Sequence, residues 1–300
     1  MSTPNERVVR GITIHTTRTK LVGPLDLTLS PGEVLGIVGE SGSGKTLTLR
    51  ALGGILPAGL TADQTPSWRS AMVFQDPGSY FNPRWKIARS LFEVLHYSRG
   101  VASSAVPRRI TQLLQQVELR REDGDLYPHE MSGGMLQRAA IAMALSTEPE
   151  VLLIDEATSA LDPVTEARIL DVLGAVTREH QCSTVVVSHD LASLAQRVDR
   201  IVVMYRGVVV EEGDAEAVFT TPRHRYLSLL LQALPSAATA GTRLAEIPQP
   251  GTTFFSEQPV GCPFAQRCPF ADQECADPPP WMGDESHRFR CVHPVPENGV

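Results

Sequence analysis

Apolar runs of strand length alternate with helical repeats along this chain. Val34–Val38, Val151–Ile154 and Thr184–Val187 are continuous apolar or β-branched runs, which are typical of strands buried on both faces. Between the last two runs, apolar residues recur at helical spacing: Ile169, Val172, Leu173 and Val176. Strand, helix and strand in this order predict a parallel unit with a right-handed crossover.

Further strands and a helix are predicted in the N-terminal half. Arg7–Leu29 mixes β-branched and turn residues and predicts antiparallel strands at one edge. A helix is predicted over Thr46–Leu56, directly after the glycine-rich loop Gly39–Thr46, and a short strand over Ala71–Phe74. The pattern therefore favours an α/β fold with an antiparallel edge.

From Ser90 to Asp123 the pattern becomes helical, with Pro107 as a helix opener before apolar residues at i, i+3, i+4 and i+7. We expect a helical subdomain over about residues 78–138. Arg200–Glu212 predicts a hairpin that turns at Arg206-Gly207. The composition after residue 234 shifts to Pro, Ala, Gly and Thr, which predicts a linker at 235–260 between a main domain (1–234) and an appendage (261–300).

Composition excludes some classes of protein. The chain has 300 residues, 42% hydrophobic and 20% charged, with a net charge of −7, which argues against a general nucleic-acid binder. Met1–Arg10 has no apolar core of a signal peptide, and the apolar runs are too short to span a bilayer. We expect the chain to stay in the cytosol and to reach a membrane only through a partner.

The glycine-rich loop fits the pattern G-x-x-x-x-G-K-[ST], which binds nucleotide phosphates. Successive backbone N–H groups and a helix N-terminus favour phosphate oxygens. Lys45 would add positive charge at the β- and γ-phosphates, and Thr46 a hydroxyl ligand for Mg²⁺. The candidate ATP-binding residues here are Gly39, Glu40, Ser41, Gly42, Ser43, Gly44, Lys45, Thr46 and Leu47.

Two downstream segments narrow the class of nucleotide-binding protein. Met131–Arg138 contains Ser-Gly-Gly, and the strand Val151–Ile154 leads directly into Asp155-Glu156. Together with the glycine-rich loop, they resemble the signature of ATP-binding-cassette (ABC) ATPases. The resemblance implies a dimer in which the Ser-Gly-Gly of one subunit completes the ATP site of the other.

The resemblance assigns roles to five residues. Asp155 ends an apolar strand, where packing poorly explains a carboxylate, and would hold Mg²⁺ with Thr46 and Gln75. Glu156 is the candidate that polarises the attacking water. His189, 34 positions after Asp155, matches the switch histidine that contacts the γ-phosphate. Glu156 and His189 are therefore the candidate catalytic residues.

Other residues would contact the ATP of the partner subunit. The resemblance assigns this role to Ser132, Gly133, Gly134 and, in the loop Ser159–Asp162, to Asp162. Both polar residues also have a local reading. Ser132 is placed to cap the helix Gly134–Leu145, and Asp162 before Pro163 reads as an N-cap. The capping and the functional roles are compatible.

Within the family, the chain resembles one of two unequal ATPases of peptide and nickel importers. This likeness rests on the Ser-Gly-Gly-Met form of the signature and on several flanking segments: Ile55–Leu60, Phe81–Pro83, Tyr127–Glu130, Pro222–Tyr226 and Ala233–Pro235. Two departures stand out. The family usually stacks an aromatic side chain on adenine, but residues 8–20 contain no Phe, Tyr or Trp, so His15 is the only candidate there. The stretch Thr61–Ala71 is also short for this subgroup, and we therefore expect an edge strand to be missing.

Four of the five cysteines crowd the C-terminal end, whereas Cys182 stands alone before a strand and reads as a buried small hydrophobe. In a reducing cytosol such a group indicates metal ligation rather than disulfides. The spacing C-x5-C-x6-C-x15-C lacks a C-x2-C pair, and structural zinc stays open. The resemblance to peptide-importer ATPases implies a 4Fe–4S cluster held by Cys262, Cys268, Cys275 and Cys291.

These observations predict an α/β P-loop fold of ABC type with an antiparallel edge, a helical subdomain and a small cysteine-bound extension. The resemblance implies an ATPase that powers uptake of di- and oligopeptides, bound at the cytoplasmic face of a bacterial membrane. Its partners would be a second, non-identical ABC ATPase, two transmembrane permease subunits and an extracytoplasmic substrate-binding protein. A nickel or metal-complex importer, and a soluble ABC ATPase without a channel, are the alternatives.

Overall fold

A computed structural model describes residues 6–156, 162–188, 190–233 and 260–297. His189, Ser159–Leu161 and all but the last residue of the predicted 235–260 linker lie outside these ranges. The chain forms two compact units. The first contains Thr28–Leu35 and the described parts of Met1–Arg7 and Pro66–Val198. The second contains Val8–Leu27, Gly36–Thr65 and the described part of Asp199–Val300.

The helices of the described ranges are α1 (Lys45–Leu52), α2 (Ile87–Glu93), α3 (Val106–Gln116), α4 (Gly133–Leu145), α5 (Pro163–His180), α6 (Leu191–Ala195), α7 (Ala215–Thr220) and α8 (Arg225–Gln232). The strands are β1 (Arg7–His15), β2 (Lys20–Leu29), β3 (Val34–Val38), β4 (Thr61–Ala62), β5 (Ser70–Val73), β6 (Val151–Asp155), β7 (Ser183–Val187), β8 (Arg200–Tyr205), β9 (Val208–Asp214), β10 (Met282–Gly283) and β11 (His287–Phe289). Within these ranges, no helix is both long and apolar enough to cross a membrane.

The first unit is built on three parallel strands, β5, β6 and β7. Val151 pairs with Ser70 on one side and Ser183 on the other, and both β6 and β7 are buried along their whole length. Helix α5 connects β6 to β7, which confirms the predicted strand–helix–strand unit. Asp155 is the last residue of β6 and lies at the carboxyl end of this sheet's central strand.

The helical part of the first unit follows β5. Pro107 lies in the first turn of α3, as predicted, and the apolar face of α3 is buried through Ile110, Leu113 and Leu114. Helix α4 begins one residue earlier than expected, with the Ser132 hydroxyl accepting from Met135 N–H at 3.3 Å.

The second unit contains antiparallel strands. Strands β2, β1 and β4 form a sheet in that order, and β10, β11, β9 and β8 lie side by side in another. The hairpin of β8 and β9 turns at Arg206-Gly207, as predicted, with φ of 48° and 79° at these residues. Positive φ at both central residues matches the right-handed twist of the flanking strands.

Two sequence expectations are wrong. The first helix ends at Leu52 rather than Leu56, because Gly53-Gly54 follows and Gly54 takes φ of 67°. The expected loss of an edge strand does not occur either. The short β4 pairs antiparallel with β1, with Ile14 opposite Ala62.

Candidate functional site

The glycine-rich loop of the second unit is shaped by residues that tolerate no side chain. A Cβ on Gly39, whose φ is 151°, would lie 2.1 Å from the Met204 carbonyl oxygen. A Cβ on Gly44, with φ of 101°, would lie 2.6 Å from Val22 Cγ2. The backbone of this loop can therefore approach its neighbours, and a ligand, only with glycine at these positions.

Polar groups of the loop point to an anionic ligand. Lys45 is 5% exposed, and its ammonium donates to the carbonyl oxygens of Gly39 at 2.8 Å and Glu40 at 3.0 Å. The buried Ser43 hydroxyl has no hydrogen-bond partner in the described part of the chain. Among the residues that the structure describes, no side chain caps the N-terminus of α1, which begins after Gly44. A phosphate would satisfy these groups.

The loop is also held by residues that sequence reasoning did not assign. The Glu40 N–H donates to the Tyr226 hydroxyl at 2.8 Å, and the Glu40 carboxylate is paired with Arg267. Tyr226 lies in the segment Pro222–Tyr226, whose sequence resembles that of peptide- and nickel-importer ATPases. Arg267 directly precedes Cys268, a predicted cluster ligand. Neither has a local pattern that would reveal the contact.

His15, the candidate for stacking on adenine, lies on β1, and its Nδ1 is 3.4 Å from Asp63 Oδ1. Its side chain is 37% exposed. This position is compatible with a ring contact, and the role remains a prediction.

The first unit holds the candidate Mg²⁺ and catalytic carboxylates. Asp155 is 6% exposed at the end of β6. Burial raises the pKa of the Tyr80 hydroxyl, and the nearby Asp155 charge adds to this rise. Strand β5 ends two residues before the exposed Gln75 and pairs in parallel with β6, with Val73 opposite Ile154, so Gln75 and Asp155 lie at the carboxyl ends of neighbouring strands in this unit.

Glu156 has an unusual backbone conformation. Its φ is 45°, in the left-handed region, while its N–H donates to the Val187 carbonyl at 3.0 Å. Such conformations in residues other than glycine cost energy and are concentrated at functional sites. The backbone therefore leaves the extended conformation of β6 at Glu156.

The signature residues and Asp162 come together in the first unit. Ser132, Gly133, Gly134 and Asp162 line one cavity of about 370 Å³, along with the basic side chains Arg138 and Arg168. Asp162 caps α5 by accepting from the N–H groups of Val164 and Thr165, each at 3.1 Å. The capping readings of Ser132 and Asp162 are confirmed. The same arrangement leaves a cavity at the N-terminus of α4 that is lined by two arginines and by the Asp162 carboxylate.

A Cβ on Gly134 would lie 2.6 Å from Thr165 Cγ2, so glycine allows α4 to approach α5 at this cavity. Burial lowers the pKa of Arg138, and the neighbouring Arg168 lowers it further. Arg168 pairs with Glu118 at 2.6 Å. The cavity therefore combines a helix N-terminus with two guanidinium groups, a combination that favours phosphate oxygens.

The four C-terminal cysteines also come together, in the second unit. Cys262, Cys268, Cys275 and Cys291 line one cavity with Phe264 and Phe270. All five cysteines of the chain are free thiols, and Cys182 is buried at 1% exposure, as predicted. Burial raises the pKa of Cys262 to about 11, and the three neighbouring thiols raise it further.

Among the described residues, the ligand atoms of Asp272, Cys275 and His293 form the group that lies within 4.8 Å of one another. No three thiol sulfurs of the described chain meet that distance. In a tetrahedral zinc site the sulfurs would lie about 3.8 Å apart, since each Zn–S bond is about 2.3 Å. The thiols are thus gathered around one cavity but spread more widely than zinc requires.

Known proteins match this chain along nearly its whole length. A family model described as "ABC transporter" matches residues 22–159, and one described as "Oligopeptide/dipeptide transporter, C-terminal region" matches residues 210–275. The dipeptide transport ATP-binding protein of Haemophilus influenzae is 34% identical, over 97% of this chain and 96% of its own. The oligopeptide transport ATP-binding protein of Salmonella typhimurium is 37% identical, over 92% of this chain and 89% of its own.

Solved structures support the fold. A part of the ABC transporter complex cbiONQ from Clostridium perfringens has a TM-score of 0.63 at 24% identity, over 72% of this chain and 90% of its own. A nucleotide-free ATP-binding cassette has a TM-score of 0.60 at 19% identity, over 72% of this chain and 93% of its own. Both confirm the α/β P-loop fold expected from the sequence.

Proposed function

This chain belongs to the ABC transporter ATPases of the oligopeptide/dipeptide importer family, and we propose that its ATP hydrolysis drives uptake of short peptides. The observation that carries the peptide assignment is the match of residues 210–275 to the C-terminal region of oligopeptide/dipeptide transporters. The glycine-rich loop supports the ATPase activity through its buried Lys45 and its Ser43 hydroxyl, which has no hydrogen-bond partner among the described residues.

Different residues of the ATP site would bind phosphate, bind Mg²⁺ and orient the attacking water. Lys45 and the N–H groups of the loop bind phosphate oxygens. Thr46, Gln75 and Asp155 offer the oxygen ligands that Mg²⁺ prefers, and Glu156 orients the attacking water. His189, which lies outside the described residues, would contact the γ-phosphate.

The cavity at the N-terminus of α4 would receive the ATP of a partner subunit. Its lining by Ser132, Gly134 and Asp162 with two arginines supports this role. The partner would be a second, non-identical ABC ATPase. The pair would act at the cytoplasmic face of a bacterial membrane on two permease subunits, fed by an extracytoplasmic substrate-binding protein, without nucleic acid.

Uptake in cells tests the peptide assignment. A strain lacking this gene should take up little radiolabelled dipeptide, and the wild-type gene should restore uptake while Glu156→Gln should not. Glu216→Gln, the same change on the exposed surface of α7, is the matched control and should restore uptake fully. Restored uptake of nickel but not of peptide would favour the metal-importer alternative. Unchanged uptake in the deletion strain would favour a soluble ATPase.

The cysteine cavity would hold an iron–sulfur cluster. The four cysteines line one cavity, which supports a single centre held by four thiolates, as in a 4Fe–4S cluster. Cys262, Cys268, Cys275 and Cys291 are the ligands, and bound iron would compensate the cost of forming buried thiolates.

Elemental analysis decides between cluster and zinc. Anaerobically purified protein should be brown, with iron and acid-labile sulfide in equal amounts, and Cys268→Ser should remove the colour. Cys182→Ser is the control and should leave the colour unchanged, because Cys182 is buried elsewhere. One zinc and no iron per chain would replace the cluster with a structural zinc site.

A further inference from the structure

A buried arginine of the cysteine segment reaches the glycine-rich loop. Arg267 directly precedes Cys268, and its side chain is 5% exposed. Its Nη1 donates to Glu40 Oε2 at 2.7 Å, and its Nη2 donates to Glu40 Oε1 at 3.0 Å. The two bonds form a bidentate pair with one carboxylate, which is the strongest and most directional geometry for an ion pair.

Arg267 is held in place by aromatic residues. Its Nη1 also donates to the Tyr205 hydroxyl at 2.9 Å, and its guanidinium carbon lies 5.9 Å from the centre of the Phe264 ring. Burial opposes the charge of Arg267, but the hydrogen bonds to Glu40 and Tyr205 outweigh this effect and raise its pKa. The guanidinium is therefore charged and fixed beneath the loop.

Glu40 connects this arginine to the phosphate-binding lysine. Its N–H donates to the Tyr226 hydroxyl at 2.8 Å, and its carbonyl oxygen accepts from Lys45 Nζ at 3.0 Å. The Glu40 side chain is 31% exposed, so it is not locked by burial alone. Without Arg267, its carboxylate would be an unpaired negative charge on a residue that already touches the Lys45 ammonium. It would then compete with phosphate for Lys45.

We propose that Arg267 is a positioning residue for ATP binding, which keeps the Glu40 carboxylate away from Lys45 and makes ATP affinity depend on the folded cysteine segment. The alternative is that the pair only stabilises the fold. The two accounts differ in what happens when the Glu40 charge is also removed. If Arg267 acts through that charge, its removal restores ATP affinity, whereas a purely stabilising pair predicts no recovery.

The test measures MgATP binding by equilibrium dialysis, steady-state ATP hydrolysis and thermal unfolding without nucleotide. The variants are Arg267→Met and the double variant Arg267→Met/Glu40→Gln, made in the full chain within its transporter. Arg288→Met is the matched control. Arg288 lies in the same C-terminal segment as Arg267 and pairs with the buried Glu212 of β9, and none of its described contacts reaches the glycine-rich loop.

Arg267→Met should raise the Kd and KM for MgATP about tenfold, the change expected when one charge-assisted pair is lost, with kcat within about twofold. The double variant should recover at least half of the lost affinity on a logarithmic scale. Arg288→Met should lower the unfolding temperature without changing Kd.

Three outcomes would overturn the proposal: unchanged Kd in Arg267→Met, no recovery in the double variant, or an equal rise of Kd in Arg288→Met. If Arg267→Met does not fold, Arg267→Gln keeps a polar side chain at this position while removing the charge. The Kd for MgATP of Arg267→Gln is then compared with and without Glu40→Gln, and the outcomes named above apply to this pair of variants.

Discussion

At the scale of single residues, the candidate ATP site contains a residue with an unfavourable backbone conformation. Glu156 takes φ of 45° directly after the buried Asp155. This left-handed backbone conformation costs free energy, and such conformations are concentrated at functional sites, which is consistent with a role of Glu156 in binding or catalysis.

Glu156→Gln should bind MgATP but hydrolyse it slowly, because the phosphate-binding loop remains while the carboxylate that we propose orients the water is lost. We expect kcat to fall by a factor of about 10² or more, within the range of general acid–base contributions. ATP turnover by the assembled transporter is the measurement. Near-normal turnover would remove Glu156 from this role.

Gly261 is a second constrained position. A Cβ here would lie 2.3 Å from the Cys275 carbonyl oxygen, which also accepts from the Cys262 N–H at 2.9 Å. Gly261→Ala should therefore push Cys262 away from Cys275 and, if the proposed cluster forms, reduce bound iron per chain to less than about half. Gly174→Ala is the matched control, since its Cβ would meet only the flexible end of Arg178 at 3.1 Å. Full iron content in Gly261→Ala would contradict this account of how the cysteines assemble.

At the scale of elements, local signals in the sequence predicted well. The strands β6 and β7, the cap at Asp162 and the turn at Arg206-Gly207 were all predicted, since each depends on residues that are neighbours in the chain. The end of α1 was wrong because apolar Ile55 and Leu56 continue the helical pattern beyond Gly53-Gly54.

Contacts between distant segments could not be predicted. Arg267 and Glu40 are 227 positions apart, and the Tyr226 hydroxyl and the Glu40 N–H are 186 apart. No periodicity or spacing links such residues, because only the folded chain brings them together. The same limit applies to Arg138 and Arg168, which line the cavity of the signature residues.

Strand β9 provides one of these distant connections through Glu211, whose side chain is fully buried. Its carboxylate accepts from the N–H groups of Arg223 and His224 at 2.7 and 2.8 Å, and it pairs with His287 at 2.7 Å. One side chain thus joins the start of α8 and strand β11 to β9.

Glu211→Ala should lower the free energy of unfolding by about 3–5 kcal/mol, because it leaves buried donors without their acceptor. Denaturant unfolding of the purified chain measures this loss. Glu285→Ala, in the same C-terminal segment but exposed, is the control and should change stability by no more than about 0.5 kcal/mol. Equal stability of the two variants would show that Glu211 does not join these elements.

At the scale of the whole molecule, the chain carries one glycine-rich loop and one signature segment. If the family's dimer forms, the loop and the signature of this chain serve two different ATP molecules. An unequal partner would then make the two composite sites chemically different.

Ser132→Arg tests this division. The variant should impair the ATP site whose glycine-rich loop lies on the partner, because a bulky cation fills the cavity at the N-terminus of α4. ATP binding at Lys45 should remain largely intact. Photolabelling with an azido-ATP analogue, read subunit by subunit, gives the result. A fully active complex that contains two copies of this chain and no second ATPase would refute the unequal pairing.

The most direct test of the central claim is the ATPase rate of the transporter assembled in proteoliposomes, with and without its peptide-loaded binding protein. We predict a severalfold stimulation by the peptide-loaded protein, lost in Glu156→Gln and retained in the surface control Glu216→Gln. A rate that does not respond to peptide, or that responds only to a nickel-loaded protein, would contradict the assignment as a peptide-importer ATPase.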